Sequence, residues 1–199
     1  MFRIFILFSY LVLIAGFGNA QVLQTVNRSV TVDSLIHVNE APGAGLVWLK
    51  KKLAFRNFSN GTIEFDCRGR DVLQQSFVGI AFHGVNDSTY DAIYFRPFNF
   101  QAAEEIRRKH SVQYISMPKY DWELLREEHP GKYENEITPA PDPNTWFHVK
   151  ITVNWPQVEV WVNGQSVLHV TQLSEQKKGR IGYWVGNNSP GDWKNLTIK

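Results

Sequence analysis

The chain has one cysteine and almost no net charge, and each scarcity excludes something. With Cys67 alone, no disulfide can form within the chain, so stability must come from a hydrophobic core rather than from cross-links. Twenty-one basic against 19 acidic residues give a net charge of +2, which offers no surface for nucleic acid and no polybasic membrane anchor. There is no internal repeat and no low-complexity tract. No histidine or cysteine stands at metal-chelating distance along the chain from His83, which argues against zinc there.

Long apolar runs are also missing, except at the beginning. Arg3, the apolar run Ile4–Ile14 and the small-residue stretch Gly18-Asn19-Ala20 follow the order of a secretory signal peptide over residues 1–20. The run is short for a membrane span of ~20 residues. Cleavage would leave one domain over residues 21–199, secreted or periplasmic and not integral to a membrane, with 20 basic and 19 acidic residues. Six Asn-x-Ser/Thr sites, at Asn27, Asn57, Asn60, Asn86, Asn187 and Asn195, would be open to glycosylation in a eukaryotic secretory pathway.

What is abundant is tryptophan, seven residues, all beyond residue 20. Such rings either fill a large core or stack on the C–H face of a sugar. Short runs of alternating residues dominate the rest. Ile63, Phe65 and Cys67 alternate with Glu64, Asp66, Arg68 and Arg70; Val78, Ile80 and Phe82 with Phe77, Gly79, Ala81 and His83; Ile93 and Phe95 with Tyr90, Ala92, Tyr94 and Arg96. Period-two alternation assigns one face to a core and leaves the other to solvent or a ligand. Cys67 falls on the core side, where burial suits it better than reactivity.

Gly45–Phe55 reads as an early strand or strand pair. Residues 98–145 break the rhythm with a helix capped by Asn99, whose Glu104 and Arg108 stand four apart, a strand over His110–Met117, and a helix capped by Asp121. A loop carrying Pro139, Pro141 and Pro143 follows. Phe147–Asn154 alternates again, and Asn163-Gly164 marks a two-residue hairpin turn. The pattern predicts an all-β antiparallel sandwich or jelly roll with its helices confined to the 98–145 insertion.

A face carrying carboxylates, guanidinium, imidazole and phenol together has the chemistry of sugar recognition. The expected binding residues are Glu64, Asp66, His83, Tyr94, Arg96 and Gln113, converging from successive strands, with Trp161 as a stacking platform and Trp122 reaching over as a lid. Alternating charge on a strand also serves plain cross-strand pairing. Asn86, Asp87 and Asp91, and likewise Asn187, Asn188 and Asp192, form oxygen-rich clusters without a calcium-loop spacing.

The strand series W-F-H-V-K-I-T-V at 146–153, V-E-V-W-V-N-G at 158–164, G-R-I-G-Y-W-V-G at 179–186 and W-K-N-L-T-I at 193–198 resembles the end of concanavalin A-like lectin/glucanase domains. The likeness is to the laminin-G-like and 3-keto-disaccharide hydrolase-like members. It implies a jelly roll over residues 45–199, a glycan or glycoside as partner, and allows a divalent cation such as calcium. If the chain is an enzyme, the resemblance implies a hydrolase or lyase acting on 3-keto-glycosides, with His83, Glu64 or Asp66 as proton carrier. A structural adhesion module is the third possibility. The Glu-x-Asp-x-x-Glu strand of the family-16 glycosidases is not reproduced, since Cys67, Arg68 and Gly69 follow Glu64-Phe65-Asp66.

Overall fold

The computed structural model describes residues 23–50 and 57–199. The signal segment expected over residues 1–20 and the far end of the strand expected over Gly45–Phe55 lie outside the described residues. Within them, two seven-stranded antiparallel sheets face each other. The front sheet runs, in spatial order, β1 (Leu23–Val26), β4 (Gly45–Leu49), β13 (Arg180–Val185), β6 (Val78–Gly84), β7 (Tyr90–Phe95), β8 (Val112–Met117) and β9 (Glu134–Asn135). The back sheet runs β12 (Gln165–Thr171), β11 (Gln157–Val162), β10 (Phe147–Asn154), β5 (Gly61–Arg68), β14 (Gly191–Ile198), β3 (Ile36–Val38) and β2 (Val30–Val32). This is the all-β sandwich that the alternation predicts. The strands β1, β2 and β3, from a stretch the sequence pattern leaves unassigned, complete one edge of each sheet.

The back sheet follows the period-two rule closely. Ile63, Phe65 and Cys67 of β5 pair with Ile151, Val149 and Phe147 of β10, and all six are buried between the sheets. Burial raises the Cys67 thiol well above its ordinary pKa, so it stays neutral and unreactive in the core. The β11–β12 hairpin turns at Asn163 and Gly164, both with positive φ (49° and 82°), as a two-residue type I′ connection requires.

The front sheet departs from the rule, because β6 and β7 are buried along their whole length. Their second face carries the small residues Gly79, Ala81 and Ala92 among the Trp48, Trp184, Tyr90 and Tyr94 rings of the same sheet, and a long segment follows β7. That segment holds three short helices, α1 (Pro97–Phe100), α2 (Glu105–Arg108) and α3 (Trp122–Glu128), and α3 packs against β8. The segment 98–145 also supplies β8 and β9, so it extends the front sheet as well as packing a helix on β8. Asp121 caps α3 as expected, its Oδ1 accepting from the Leu124 amide at 2.9 Å. Asn99 caps nothing; it lies inside α1, and its Oδ1 accepts from Arg107 Nε. The expected Glu104–Arg108 pair is replaced by Glu104–Arg107 and Glu105–Lys109, because the helix starts later and is a single turn.

One expectation fails on topology. Strand parity predicts that β5, β6 and β7 aim their polar groups into one hollow, but β5 belongs to the back sheet while β6 and β7 are neighbours in the front one. Parity assigns a side chain to one face of its own sheet; it does not say which sheet a strand joins.

Candidate functional site

The outer face of the front sheet is built from cross-strand rows. One row reads Leu46, Trp184, Gly79, Tyr94, Gln113, Glu134 across β4, β13, β6, β7, β8 and β9. Gly79 sits between the two aromatic residues, and the Trp184 and Tyr94 rings close over it with centroids 4.6 Å apart. A Cβ at Gly79 would come within 2.2 Å of the Ile93 carbonyl oxygen and 2.6 Å of Tyr94 Cα, so only glycine fits under this pair. The next row is small in the middle, with Gly182, Ala81 and Ala92 between Trp48 and Ile115. Trp184 reaches over to Tyr90, donating its Nε1–H to the phenol oxygen at 3.2 Å.

Arg96 holds this floor from behind. It is 5% exposed and donates to Tyr94 Oη (2.7 Å), Gln113 Oε1 (3.1 Å) and the His110 carbonyl (2.9 Å). Burial lowers the Arg96 pKa and raises that of Tyr94. All three acceptors are neutral, and the nearest carboxylate network is Glu134, gripped at both oxygens by Arg126 (3.0 and 2.7 Å). Arg126 in turn lies over the Trp122 ring, 5.0 Å from its centroid, which fixes that ring at the start of α3.

Together these residues enclose a cavity of about 330 Å³, at the small end of the range for ligand sites. Tyr94, Trp184 and Tyr90 form its floor, with Phe77 behind and Ile115 and Met117 beyond. Asp121 and Trp122 make one wall; Ala44, Gly186 and Asn187 make another. Asp121 is the one acidic or basic side chain among the described lining residues. A larger cavity of about 600 Å³ lies past α3, between Arg126, Glu134, Lys109 and Glu136. Arg126 and His110 both lie on the lining Glu134, and Lys109 is held by Glu105 outside the lining, so this cavity offers a ligand less.

The structure therefore brings Tyr94, Arg96 and Gln113 together, with Tyr94 on the cavity surface and the other two beneath it. Trp122, expected to reach over the site, stands on the cavity wall, whereas Glu64, Asp66, His83 and Trp161 lie elsewhere. Glu64 and Asp66 project from the opposite side of the sandwich. Asp66 lies between His148 Nδ1 (2.9 Å) and Asn195 Nδ2 (2.6 Å), and Glu64 lies 3.7 Å from Lys199 Nζ. Burial alone would raise the Asp66 pKa, but the His148 and Asn195 hydrogen bonds outweigh it and hold it below the usual value. Arg68 donates twice to Asp192, so this face of β5 makes ordinary cross-strand pairs. Trp161 is on that same back face under the Lys150 ammonium, 5.0 Å from its ring centroid.

His83 is drawn inward. The β13–β6 register slips between Arg180 and Gly182, setting Phe82 and His83 against Ile181, and His83 takes φ 51°. Its Nε2 lies 2.7 Å from the Ser59 carbonyl oxygen and its Nδ1 3.0 Å from Gln172 Nε2, the pattern of the Nε2-protonated tautomer. Gln172 also donates to Asp91, which accepts from Tyr114 and Ser174 as well. This buried network touches no described lining residue of the cavity by hydrogen bond.

Neither oxygen-rich cluster converges. Asp91 is inside the sandwich, Asp87 accepts from Trp48 Nε1, and Asn86 caps its own turn. Asn187 accepts from the Gly43 amide, whereas Asp192 serves Arg68 and His37. Among the described residues, no group of three or more His, Cys, Asp or Glu is placed to hold a metal ion. Trp184, Phe77 and Asp121 carry no mark of a site in the sequence, Tyr90 is marked only by its place on the polar face, and Asn187 only as part of an oxygen-rich cluster. Trp184 gave no signal because it alternates with another aromatic, Tyr183, and both faces of β13 are buried.

The fold is that of lectin-like carbohydrate-binding domains. The carbohydrate-binding module CBM66 from Bacillus subtilis superposes with a TM-score of 0.67 at 14% identity, covering 91% of this chain and 97% of that one. The potassium-bound Emp46p carbohydrate recognition domain gives 0.57 at 11% identity, over 88% and 87%. The exoplasmic/lumenal domain of VIP36, bound to Ca2+ and Man3GlcNAc, gives 0.55 at 9% identity, over 88% and 82%. No curated protein matches the sequence closely enough to count as a relative. Residues 16–199 match the family model of the 3-keto-alpha-glucoside-1,2-lyase-like domain, and the chain belongs to that family.

Proposed function

We propose that the protein binds a glycan or glycoside in the hollow of the front sheet. The observation that carries this reading is the aromatic floor of Trp184 and Tyr94 with Trp122 standing at its edge. The exposed Trp122 ring can stack on the C–H face of a pyranose above that apolar floor, while Asp121 and Asn187, which also line the hollow, supply hydrogen bonds to hydroxyls. A glycan array followed by titration calorimetry tests it. Trp122 is 45% exposed, so its replacement by Ala removes a wall without opening the core. Affinity for the ligand found should fall about tenfold or more in this variant; wild-type affinity there would refute the assignment. With the signal segment expected at residues 1–20, the binding takes place outside the cytoplasm. Among the described residues no helix is long and apolar enough to cross a membrane.

Membership of the 3-keto-alpha-glucoside-1,2-lyase-like family favours a second, catalytic reading. A keto group acidifies the neighbouring C–H; a base removes that proton and the glycosidic oxygen leaves from the adjacent carbon. Burial holds the Tyr90 and Tyr94 phenols above their ordinary pKa, so both stay protonated near neutral pH and are poor bases. Asp121 is then the lining group suited to take the proton. Incubation with a 3-keto-α-glucoside should release the aglycone at a rate that Asp121→Asn abolishes; no release above background would leave binding without turnover.

A further inference from the structure

We propose that the hollow selects uncharged sugars over their acidic counterparts, and that the Asp121 carboxylate enforces the choice. This rests on the glycan-binding reading above. Asp121 Oδ1 is committed to the α3 amide of Leu124, and Oδ2 has no partner among the described residues. Oδ2 is therefore the acceptor offered to a ligand on that wall. Asn187, which lines the same cavity, spends its Oδ1 on the Gly43 amide, leaving the Nδ2 amide as a donor without a partner among the described residues. A neutral ring with a hydroxyl at each end satisfies both.

A uronic acid does not. Its carboxylate would meet Asp121 in a cleft with low-dielectric aromatic walls, and no cation lines that cleft among the described residues. The nearby guanidinium and ammonium groups are turned elsewhere. Arg96 lies behind the Tyr94 ring, 4.8 Å from its centroid, and Arg126 is bidentate on Glu134. Arg28 donates to the Asn27, Gly43 and Gly186 carbonyls, and Lys119 sits on the Tyr120 ring. None of these can reach a ligand carboxylate without giving up its present partner, so like-charge repulsion goes unopposed.

Calorimetry at neutral pH with the methyl α- and β-glycosides of glucose, galactose and mannose, each beside its uronide, tests the inference. At least one neutral member should bind, and its uronide should bind about tenfold or more weakly. Asn caps helices as well as Asp, so Asp121→Asn keeps α3 in place. In that variant the neutral sugar should weaken somewhat and the uronide tighten, bringing the two within about threefold. Independently of any variant, raising the salt concentration should narrow the wild-type ratio, since screening acts on the repulsion alone. Equal affinities in the wild type, or a ratio that neither the variant nor salt changes, would overturn the role of Asp121 and leave the glycan site standing. Failure to bind any member, neutral or acidic, would instead sink the glycan reading itself.

Discussion

Replacing Trp184 by Ala should reduce glycan affinity about thirtyfold or more, the largest loss available from one side chain in the hollow. The residue does three things at once. Its ring forms part of the floor, it packs on the Tyr94 ring at 4.6 Å with a tilt of 32°, and it fixes the Tyr90 phenol through Nε1. Truncation also opens a void in a region where Trp184 is only 7% exposed, at a cost of about 3 kcal/mol in stability. Trp184→Phe separates the two effects, because it keeps an apolar ring over Gly79 but gives up the bond to Tyr90. It should retain most of the stability and lose several-fold in affinity. A folded Trp184→Ala protein with wild-type affinity on calorimetry would show that the ligand lies elsewhere.

The second large effect concerns folding. Asp91 is fully buried and accepts from Tyr114 Oη (2.6 Å), Ser174 Oγ (2.5 Å) and Gln172 Nε2 (3.1 Å), with His83 Nδ1 at 3.7 Å. Tyr114, on β8, has its pKa raised well above the ordinary value, first by burial and then by the Asp91 carboxylate beside it. Asp91→Ala leaves three donors facing one another across an apolar gap, and should destabilise the protein by about 3–5 kcal/mol in urea denaturation. A loss below about 1 kcal/mol would mean that water enters and satisfies the network. The two predictions are separable in the laboratory, since the Asp91 network lies between the sheets and the hollow lies outside the front one.

Much of this architecture is legible in the chain. Alternation in β5 and β10 names the residues that meet across the back sheet, Asn163-Gly164 names a hairpin, Asp121 names a helix start, and the core side of β5 names Cys67 as buried. These features are local, set by the pleat, by a turn that needs positive φ, and by free amides at a helix end. The site is legible only in part. Tyr94, Arg96 and Gln113 are correctly grouped on one face, because β7 and β8 are hydrogen-bonded neighbours and parity carries across a ladder. Glu64 and Asp66 are not, because β5 pairs with β10 and β14 instead of with β6.

His83 escapes for a different reason. One extra residue in β6 turns its ring from the outer face to the interior, and a bulge leaves no mark in a hydrophobic pattern. The buried second face of β6 and β7 is likewise a matter of which rings from neighbouring strands lie beside Gly79, Ala81 and Ala92, which periodicity does not address.

By itself, then, the amino-acid order determined the elements, their inward residues and the sandwich class, because each of these follows from interactions within a few residues. Only the tertiary structure decided which strands share a sheet and which rings meet over Gly79. It also decided that Asp121 and Asn187 line one hollow. Those are pairings between segments distant in the chain, chosen by which buried surfaces fit, and no local rule encodes them.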